Sequence, residues 1–244
     1  MRTLVVGDIH GGLKGLEQVI SRVKPNNEDR FIFLGDYVDG WSQAAETVSF
    51  LLDFAQAYSC VFIRGNHDEL AYNYLAKNDD QPLWLAHGGE ATRKSYSMLA
   101  EKEIADHLEF FESLINYHID DQNRLFVHAG FANLHGPKYE YYPNSVYWDR
   151  SLWEMVCAMD PNLGPEDNLY PNRLRLFDEI YIGHTPVSRI GSTVPVQFAN
   201  VWNIDTGAAF KGPLSIMDIN SKQLWQSDPV WNLYPEELGR NKPK

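Results

Sequence analysis

One local pattern recurs along this chain: a short apolar run that ends in a turn rich in Gly, Asp, His or Asn. Apolar runs of strand length cover residues 3–6, 30–34 and 60–63, and apolar side chains at helical spacing lie between them. This alternation is typical of an α/β core in which at least part of the sheet is parallel. Because open α/β sheets bind ligands at the carboxyl ends of their strands, the pattern predicts a ligand site made by these turns.

The chain changes character after residue 68. Residues 68–115 are predicted to be mostly helical, with a polar break at 77–82 and an interruption at Gly88 and Gly89. Residues 117–120 and 124–127 are predicted to form a hairpin, and residues 131–178 are irregular and rich in aromatic side chains. No linker divides the chain. We therefore expect a single domain over residues 1–244, with a helical insert at about 68–115 and an irregular aromatic insert at about 131–178.

Some polar and aromatic residues are expected to serve structure. Ser42 is a candidate N-cap for the second helix. Asp68 is interpreted as a residue at a helix N-terminus, where the helix dipole stabilises its negative charge. Asp205 is interpreted as part of a structural turn, and the aromatic stretch 139–148 as packing. The polar tail after Pro235 is expected to be poorly ordered at its end.

Composition limits the classes of function. The formal net charge of −12 argues against binding to a nucleic-acid polymer, which needs a basic face. A phosphate substrate is still compatible with this charge, because bound divalent cations reverse the local field.

Cysteine content and hydropathy bear on the compartment. Cys60 and Cys157 do not make a disulfide framework, which favours a reducing compartment. No apolar stretch approaches the roughly 18 residues of a membrane span, and residues 1–3 leave no room for a signal peptide. We expect a cytoplasmic protein without membrane association.

The polar side chains at the predicted strand ends are of a kind that binds metals. They are Asp8, His10, Asp36, Asp39, Asn66, His67, His128 and His184. Carboxylates, imidazoles and an amide suit Mn, Fe or Zn ions with oxygen and nitrogen ligands better than a soft site made of sulfur. A lone histidine at a strand end is more often structural. His10, His128 and His184 each follow an apolar run in the same kind of polar turn, so we interpret these three as metal ligands.

Five motifs occur in order between residues 7 and 185. They are Gly7-Asp8-Ile9-His10-Gly11, Gly35-Asp36-Tyr37-Val38-Asp39, Gly65-Asn66-His67-Asp68, His128-Ala129-Gly130 and Gly183-His184-Thr185. Together they resemble the motif set of the calcineurin-like metallophosphoesterases. Within that family the chain is similar to the branch of Ser/Thr protein phosphatases and bacterial symmetrical diadenosine tetraphosphatases. Gly88-Gly89, Thr92 and Ser95-Tyr96 resemble a helical insert of bacterial members.

The resemblance implies a mixed α/β fold, a four-layer sandwich of two β-sheets flanked by helices. It also implies two divalent ions: Asp8 and His10 bind the first, Asp36 bridges, and Asn66, His128 and His184 bind the second. Two ions about 4 Å apart can share a carboxylate and a hydroxide, which attacks phosphorus. His67 is then the candidate acid for the leaving oxygen, and Asp39 orients it.

One position departs from the family pattern. Protein phosphatases of this branch carry an arginine directly after the second Asp of the Asp36–Asp39 motif, and here that position is Gly40. Trp148-Asp149-Arg150 resembles the element that supplies a second arginine, so Arg150 is a candidate for binding phosphate, together with Asn66. The resemblance therefore predicts complete metal binding and an incomplete phosphate-binding site.

Three hypotheses about function follow. The leading one is a dinuclear metal-dependent phosphatase, with Mn²⁺ the favoured ion, that hydrolyses a phosphate monoester in a phosphoprotein or a small molecule. The second is hydrolysis of a symmetrical dinucleoside tetraphosphate, in which the aromatic stretch would stack bases. The third is a metal-binding scaffold without turnover, against which the complete ligand set and His67 argue.

Overall fold

Two five-stranded sheets form the centre of the protein, as seen in a computed structural model that describes residues 1–241. The strands are β1 (Thr3–Val6), β2 (Arg30–Phe33), β3 (Ser59–Phe62), β4 (Tyr117–Ile119), β5 (Arg124–Val127), β6 (Glu179–Ile182), β7 (Val196–Phe198), β8 (Val201–Asn203), β9 (Ser215–Asp218) and β10 (Leu224–Gln226). The helices are α1 (Leu13–Val23), α2 (Ala44–Ala57), α3 (Asn66–Lys77), α4 (Pro82–Trp84), α5 (Glu90–Tyr96), α6 (Glu101–Ser113), α7 (Ser151–Ala158) and α8 (Val230–Leu233). A wide turn at Leu85–Gly89 joins α4 to α5.

Both sheets are mixed. In the first, the strand order is β10-β9-β1-β2-β3, and β1, β2 and β3 run parallel. In the second, the order is β4-β5-β6-β8-β7, and β5, β6 and β8 run parallel. The prediction of a mixed α/β fold with two β-sheets flanked by helices is confirmed.

Because side chains alternate along each strand, neighbouring residues enter two different core layers. Val5 and Ile32 enter the core between the two sheets, whereas their neighbours Leu4 and Phe31 enter the core beneath the helices. In the second sheet Phe126 points between the sheets. Successive side chains of a strand point to opposite faces, and both faces are covered here, so consecutive residues of the central strands β1 and β2 are apolar.

The segment between β3 and β4 contains four helices, and they pack on the first sheet. Phe110 and Phe111 of α6 are buried there with Trp84 and Tyr96. Beyond it, β4 and β5 pair antiparallel with Ile119 opposite Leu125, as the hairpin pattern predicts.

One local expectation is corrected. Helix α2 begins at Ala44 and is preceded by Gln43, and the Ser42 hydroxyl donates instead to the Glu237 carboxylate (2.7 Å). The Ser42–Glu237 contact joins residues far apart in sequence, which is why local pattern did not predict it. The tail after Pro235 contacts the rest of the molecule as far as Arg240, and its end, where poor order was expected, is at residues 242–244, outside the described part.

Among residues 1–241, no helix combines the length and apolar character that crossing a membrane requires.

Candidate active site

The ends of five parallel strands meet at one edge of the sandwich and carry a buried polar cluster. Asp8 and His10 follow β1, Asp36 follows β2, and Asn66 starts α3 after β3. His128 follows β5 and His184 follows β6, so the second sheet contributes two imidazoles. The structure thus brings together the residues that the strand-end pattern singled out, and we call these six residues the ligand core.

Asp36 lies at the centre of the ligand core. Its Oδ2 is 3.5 Å from Nε2 of His10 and 3.4 Å from Nε2 of His128. Its Oδ1 accepts a hydrogen bond from the His67 backbone N–H (3.0 Å), which fixes the carboxylate plane. One carboxylate therefore faces imidazoles on both sides.

Two groups of possible metal-binding atoms share Asp36. Within each group, the atoms lie within 4.8 Å of one another. The first group is His10, Asp36 and His67, and the second is Asp36, His128 and His184. The geometry therefore allows two cations with one common carboxylate. It also places His67 in the first group, where the sequence analysis expected Asp8.

Asp8 lies beside the first group. Its Oδ2 accepts the backbone N–H of His184 (3.0 Å) and lies 3.9 Å from Nε2 of His10. Its Oδ1 is buried and has no hydrogen-bond partner among residues 1–241. An unpaired carboxylate oxygen is costly to bury. A cation at this position would satisfy it, so the donor set fits a metal ion.

The orientation of two histidines is set by backbone carbonyls. Nδ1 of His128 is 2.8 Å from the carbonyl of Leu34, and Nδ1 of His10 is 2.8 Å from that of Asp39. A carbonyl only accepts, so both Nδ1 atoms carry a proton, and in the neutral form of each ring Nε2 presents its lone pair to the cluster. This arrangement is common for histidines that bind metals.

The second group is compact. Nδ1 of His184 is 2.8 Å from Oδ1 of Asn66 and 3.2 Å from Nε2 of His128. On its other edge, Nε2 of His184 accepts a hydrogen bond from Nε of Arg150 (3.2 Å). Arg150 is exposed and lies just before α7, at the boundary between the buried cluster and solvent.

The carboxylates of the ligand core favour a positive charge on His128. Burial opposes a charge on His128, but the carboxylates of Asp36, Asp8 and Asp68 outweigh it and raise its pKa to about 10. Burial and the nearby Asp205 raise the pKa of Asp8 well above its ordinary value. Concentrated carboxylates that attract a proton also attract a divalent cation.

His67 and Asp39 form a hydrogen-bonded pair next to the ligand core. Nδ1 of His67 is 2.7 Å from Oδ2 of Asp39. The same oxygen accepts the indole N–H of Trp84 (2.6 Å), and the other oxygen accepts the hydroxyl of Thr92 (2.6 Å). Asp39 is fully buried, so its orientation and that of the His67 ring are fixed before any ligand binds.

The helical segment supplies the partners of Asp39. The N–H of Gly40 donates to the carbonyl of Gly88 (3.2 Å), and a Cβ on Gly88 would lie 2.8 Å from the Gly40 nitrogen. A Cβ on Gly89 would lie 2.3 Å from the ring of Trp84. The two glycines therefore let the wide turn and Trp84 approach the Asp39 loop. Trp84 was missed by sequence reasoning, and its position just before this glycine pair is the signal that could have identified it.

Asp205 was interpreted as part of a structural turn. The structure shows this turn and also places the carboxylate near the ligand core. Its Oδ1 accepts the backbone N–H of Gly207 (2.9 Å), as a turn residue does. It is also buried near Asp8, and burial raises its pKa to about 6. Asp205 follows the end of β8 in the same way as the ligand-core residues follow their strands, which is the signal that was available.

The aromatic segment is mostly exposed. The exposed fractions are 58% for Tyr139, 86% for Tyr141, 66% for Tyr142 and 45% for Trp148, whereas Tyr147 is buried. The interpretation of this stretch as packing is therefore wrong for these four residues. They lie in or beside two short 3₁₀ turns, Pro137–Tyr139 and Pro143–Tyr147.

Comparison with known proteins agrees with this site. The family described as calcineurin-like phosphoesterase matches residues 1–195. The chain is 26% identical to serine/threonine-protein phosphatase 1 of Salmonella typhimurium, over 88% of this chain and 90% of that protein. It is 23% identical to bis(5'-nucleosyl)-tetraphosphatase PrpE (asymmetrical) of Oceanobacillus iheyensis, over 91% of this chain and 90% of that protein.

Solved structures share the fold. A metallophosphoesterase from Sphaerobacter thermophilus superposes with a TM-score of 0.53 at 19% identity, covering 93% of this chain and 87% of that one. A cold-active protein-tyrosine phosphatase from a Shewanella species superposes with a TM-score of 0.58 at 14% identity, covering 93% and 80%. With the family match over residues 1–195 and the shared fold, the chain belongs to the calcineurin-like phosphoesterases, a family of metal-dependent hydrolases.

Proposed function

We propose that this protein hydrolyses a phosphate monoester, either phosphoserine or phosphothreonine in a protein or a small phosphate ester. The observation that carries the proposal is the pair of buried metal-binding groups that share Asp36, with His67 and Asp39 beside them. Such a site has the parts that phosphoryl transfer to water requires: charge neutralisation, a positioned nucleophile and an acid.

The ligand core would hold two divalent ions. Asp8, His10 and Asp36 would hold the first, and Asp36, Asn66, His128 and His184 the second. When bound, the ions supply the Lewis acidity that ionises water near neutral pH and neutralises charge on the phosphoryl oxygens. Mn²⁺ is the ion we propose, because the ligands are carboxylates, imidazoles and an amide, and Fe or Zn ions are the alternatives.

His67 acts on the leaving group in this proposal. Its Nδ1 is engaged by Asp39, so its Nε2 holds the proton that the leaving oxygen takes. Asp39 keeps the ring in that orientation. Asn66 turns its amide oxygen toward the histidines, which leaves its amide nitrogen to donate to a phosphoryl oxygen. Arg150 donates to the phosphoryl group from the solvent side.

A second candidate is the hydrolysis of a dinucleoside tetraphosphate. The exposed Tyr139, Tyr141 and Tyr142 lie on the segment that carries Arg150, and exposed aromatic rings stack on nucleobases. The sequence analysis named the symmetrical reaction, whereas the tetraphosphatase relatives carry the asymmetrical name. Asymmetrical cleavage gives a nucleoside triphosphate and a monophosphate, and symmetrical cleavage gives two diphosphates, so product analysis distinguishes them.

The test is metal removal followed by a substrate panel. Protein treated with a chelator should not hydrolyse p-nitrophenyl phosphate, and reloading with Mn²⁺ should restore turnover. Phosphopeptides, sugar phosphates, nucleotides and diadenosine tetraphosphate then rank the substrate classes by kcat/KM. Absence of turnover with Mn²⁺, Fe²⁺ and Zn²⁺ across the whole panel would contradict the proposal and favour a binding scaffold.

A variant separates the two candidates. Tyr141→Ala removes an 86% exposed ring that is not part of the ligand core. If bases stack there, KM for diadenosine tetraphosphate should rise about fivefold while p-nitrophenyl phosphate is unaffected. Equal kinetics on both substrates would remove the support that the aromatic segment gives to the second candidate.

We also propose the cytoplasm as the location, since Cys60 and Cys157 are free thiols, as proteins of a reducing compartment have.

A further inference from the structure

The segment from Tyr234 to Asn241 packs beside the loop that carries Asp39 and Gly40. The ring of Tyr234 stacks on Trp41 with centroids 5.1 Å apart. A Cβ on Gly239 would lie 2.7 Å from Trp41, so the chain passes directly over that indole. The backbone N–H and the hydroxyl of Ser42 both donate to the carboxylate of Glu237 (2.9 and 2.7 Å). The segment is therefore held in place by contacts with both Trp41 and Ser42.

These contacts bring Arg240 to the edge of the ligand core. Its backbone N–H donates to the carbonyl of Ala209 (2.9 Å). Its Cγ lies 3.5 Å from the point where a Cβ on Gly40 would stand, and that point is 3.3 Å from the Cβ of His10. Since Gly40 has no side chain, the aliphatic part of Arg240 occupies the space beside it, next to a residue of the first metal-binding group.

Arg240 is half-buried, and its charge has no close acidic partner in the described part of the chain. Its Cζ lies 5.4 Å from the ring centre of Phe210. Within residues 1–241, no Asp or Glu oxygen lies within 4.0 Å of this guanidinium. Arg240 therefore places a positive charge beside the ligand core that no carboxylate of residues 1–241 pairs with.

An anionic substrate needs cations on more than one side of the site. Arg150 stands on the His184 side, where its Nε donates to that imidazole. Arg240 stands on the His10 side, and the turn at Gly40 leaves room for it. A guanidinium presents donors in a fixed fork that matches two phosphoryl oxygens.

We propose that Arg240 is a phosphate-binding residue of this enzyme, reaching from the far end of the chain into the space that Gly40 leaves, opposite Arg150. The inference rests on the proposed function in that the anion is the phosphoryl group of the substrate. It also completes the phosphate-binding site for which the sequence supplied only Arg150 and Asn66.

The first test compares Arg240→Gln with Lys211→Gln. Lys211 is exposed in the same region, but its ammonium lies over the ring of Trp231, so its loss removes one positive charge outside the site. With Mn²⁺-loaded proteins, calorimetric titration with inorganic phosphate should give a dissociation constant raised about tenfold in Arg240→Gln and unchanged in Lys211→Gln. Arg240→Lys, which keeps the charge but not the fork, should fall between them.

Kinetics add a second measurement. KM for p-nitrophenyl phosphate should rise about tenfold in Arg240→Gln, with the bound manganese and the thermal midpoint unchanged. Phosphate affinity within twofold of the wild type in a folded Arg240→Gln protein would overturn the proposal and leave Arg240 as a packing residue on Phe210.

The proposal can also be tested on the wild-type chain, in case Arg240→Gln does not fold. Phenylglyoxal modifies accessible arginines, and peptide mass analysis reports which ones. Phosphate at saturating concentration should protect Arg240 and Arg150 and leave Arg189 modified. Equal modification of Arg240 with and without phosphate would overturn the assignment. Since binding and protection do not require turnover, a wild-type protein that binds phosphate but hydrolyses nothing would contradict only the proposed function.

Discussion

The ligand core and the rim of the site are held in different ways. We define the rim as Arg150, Arg240, Tyr139, Tyr141 and Tyr142. Two of the ligand-core histidines, His10 and His128, are fixed by main-chain carbonyls, and Asp36 is fixed by the His67 amide. The rim lies on irregular segments, and Tyr141 is almost entirely exposed. Under the proposed function, this difference separates two tasks: the buried groups, which are ordered in advance, would perform the chemistry, and the exposed groups would select the substrate.

The relatives fit this division. A protein named as a serine/threonine phosphatase and a protein named as an asymmetrical tetraphosphatase both align over about nine-tenths of this chain. One strand-end arrangement of metal ligands serves any phosphate ester, because metals and the acid contact only the phosphoryl group and the leaving oxygen. Differences among substrates must then be read outside the ligand core.

The largest effect should come from Asp36→Asn. Removing the shared charge should cut kcat/KM at least about a thousandfold, or about 4 kcal/mol, and reduce the bound manganese below two ions per chain. Metal analysis and initial rates measure both. A variant that still bound two ions with full activity would show that Asp36 does not bridge.

His67→Asn should be the next most severe. Loss of the acid should lower kcat about a hundredfold with the bound manganese retained, and the loss should be greater for alkyl phosphates than for p-nitrophenyl phosphate, whose leaving group needs no proton. His87→Asn, at an exposed position of the wide turn, is the control. Loss of one manganese ion in His67→Asn would instead assign His67 to the first metal, as its place in that group allows.

Trp84→Phe, which alters the surroundings of the His67–Asp39 pair, should lower kcat less than His67→Asn does. It removes the indole N–H that donates to Asp39 and keeps an aromatic ring beside Gly89. We expect kcat to fall about tenfold with little change in KM or metal content. Trp153→Phe, a buried tryptophan in the core of the second sheet, is the control for the loss of ring volume. Equal losses in both variants would mean that the effect is one of packing.

Arg150→Gln tests the rim directly. Because Arg150 is exposed, its contribution is screened by water, and we expect KM for p-nitrophenyl phosphate to rise about fivefold while kcat stays within twofold. A fall in kcat as large as that of His67→Asn would contradict the division of tasks between the ligand core and the rim.

Asp29→Asn should have the smallest effect on activity, because this buried carboxylate lies outside the site. Its pKa lies below the ordinary value because the Arg2 side chain donates to it. A lowered folded-state pKa stabilises the protein above the unfolded value of about 3.9, and this stability is lost as the pH falls through the folded-state value. The variant should therefore lose about 1–2 kcal/mol at pH 7, with the difference from wild type shrinking below about pH 4, as thermal unfolding across pH would measure.

The features that could be predicted from the sequence are those encoded within a few consecutive residues. A strand, a glycine and a carboxylate within seven residues identified Asp8 and Asp36, because parallel strands must end at one edge. Trp84 lies against Asp39, 45 residues away in the sequence, and Arg240 lies beside Gly40, 200 residues away, and no local period encodes such contacts. Ser42 was misplaced for the same reason, since its true partner, Glu237, lies near the other end of the chain.

The carbonyl of Leu34 that receives Nδ1 of His128 joins one sheet to the other. Asp8, His10 and Asp36 follow strands of the first sheet and His128 and His184 follow strands of the second, so ions bound among them as proposed would tie the two sheets together. Because the unfolded chain lacks this site, the free energy of unfolding would increase with metal concentration, by about 2.7 kcal/mol at a hundred times the dissociation constant of one site. Under the proposed function, the bound metal would thus act as a thermodynamic cross-link between the sheets.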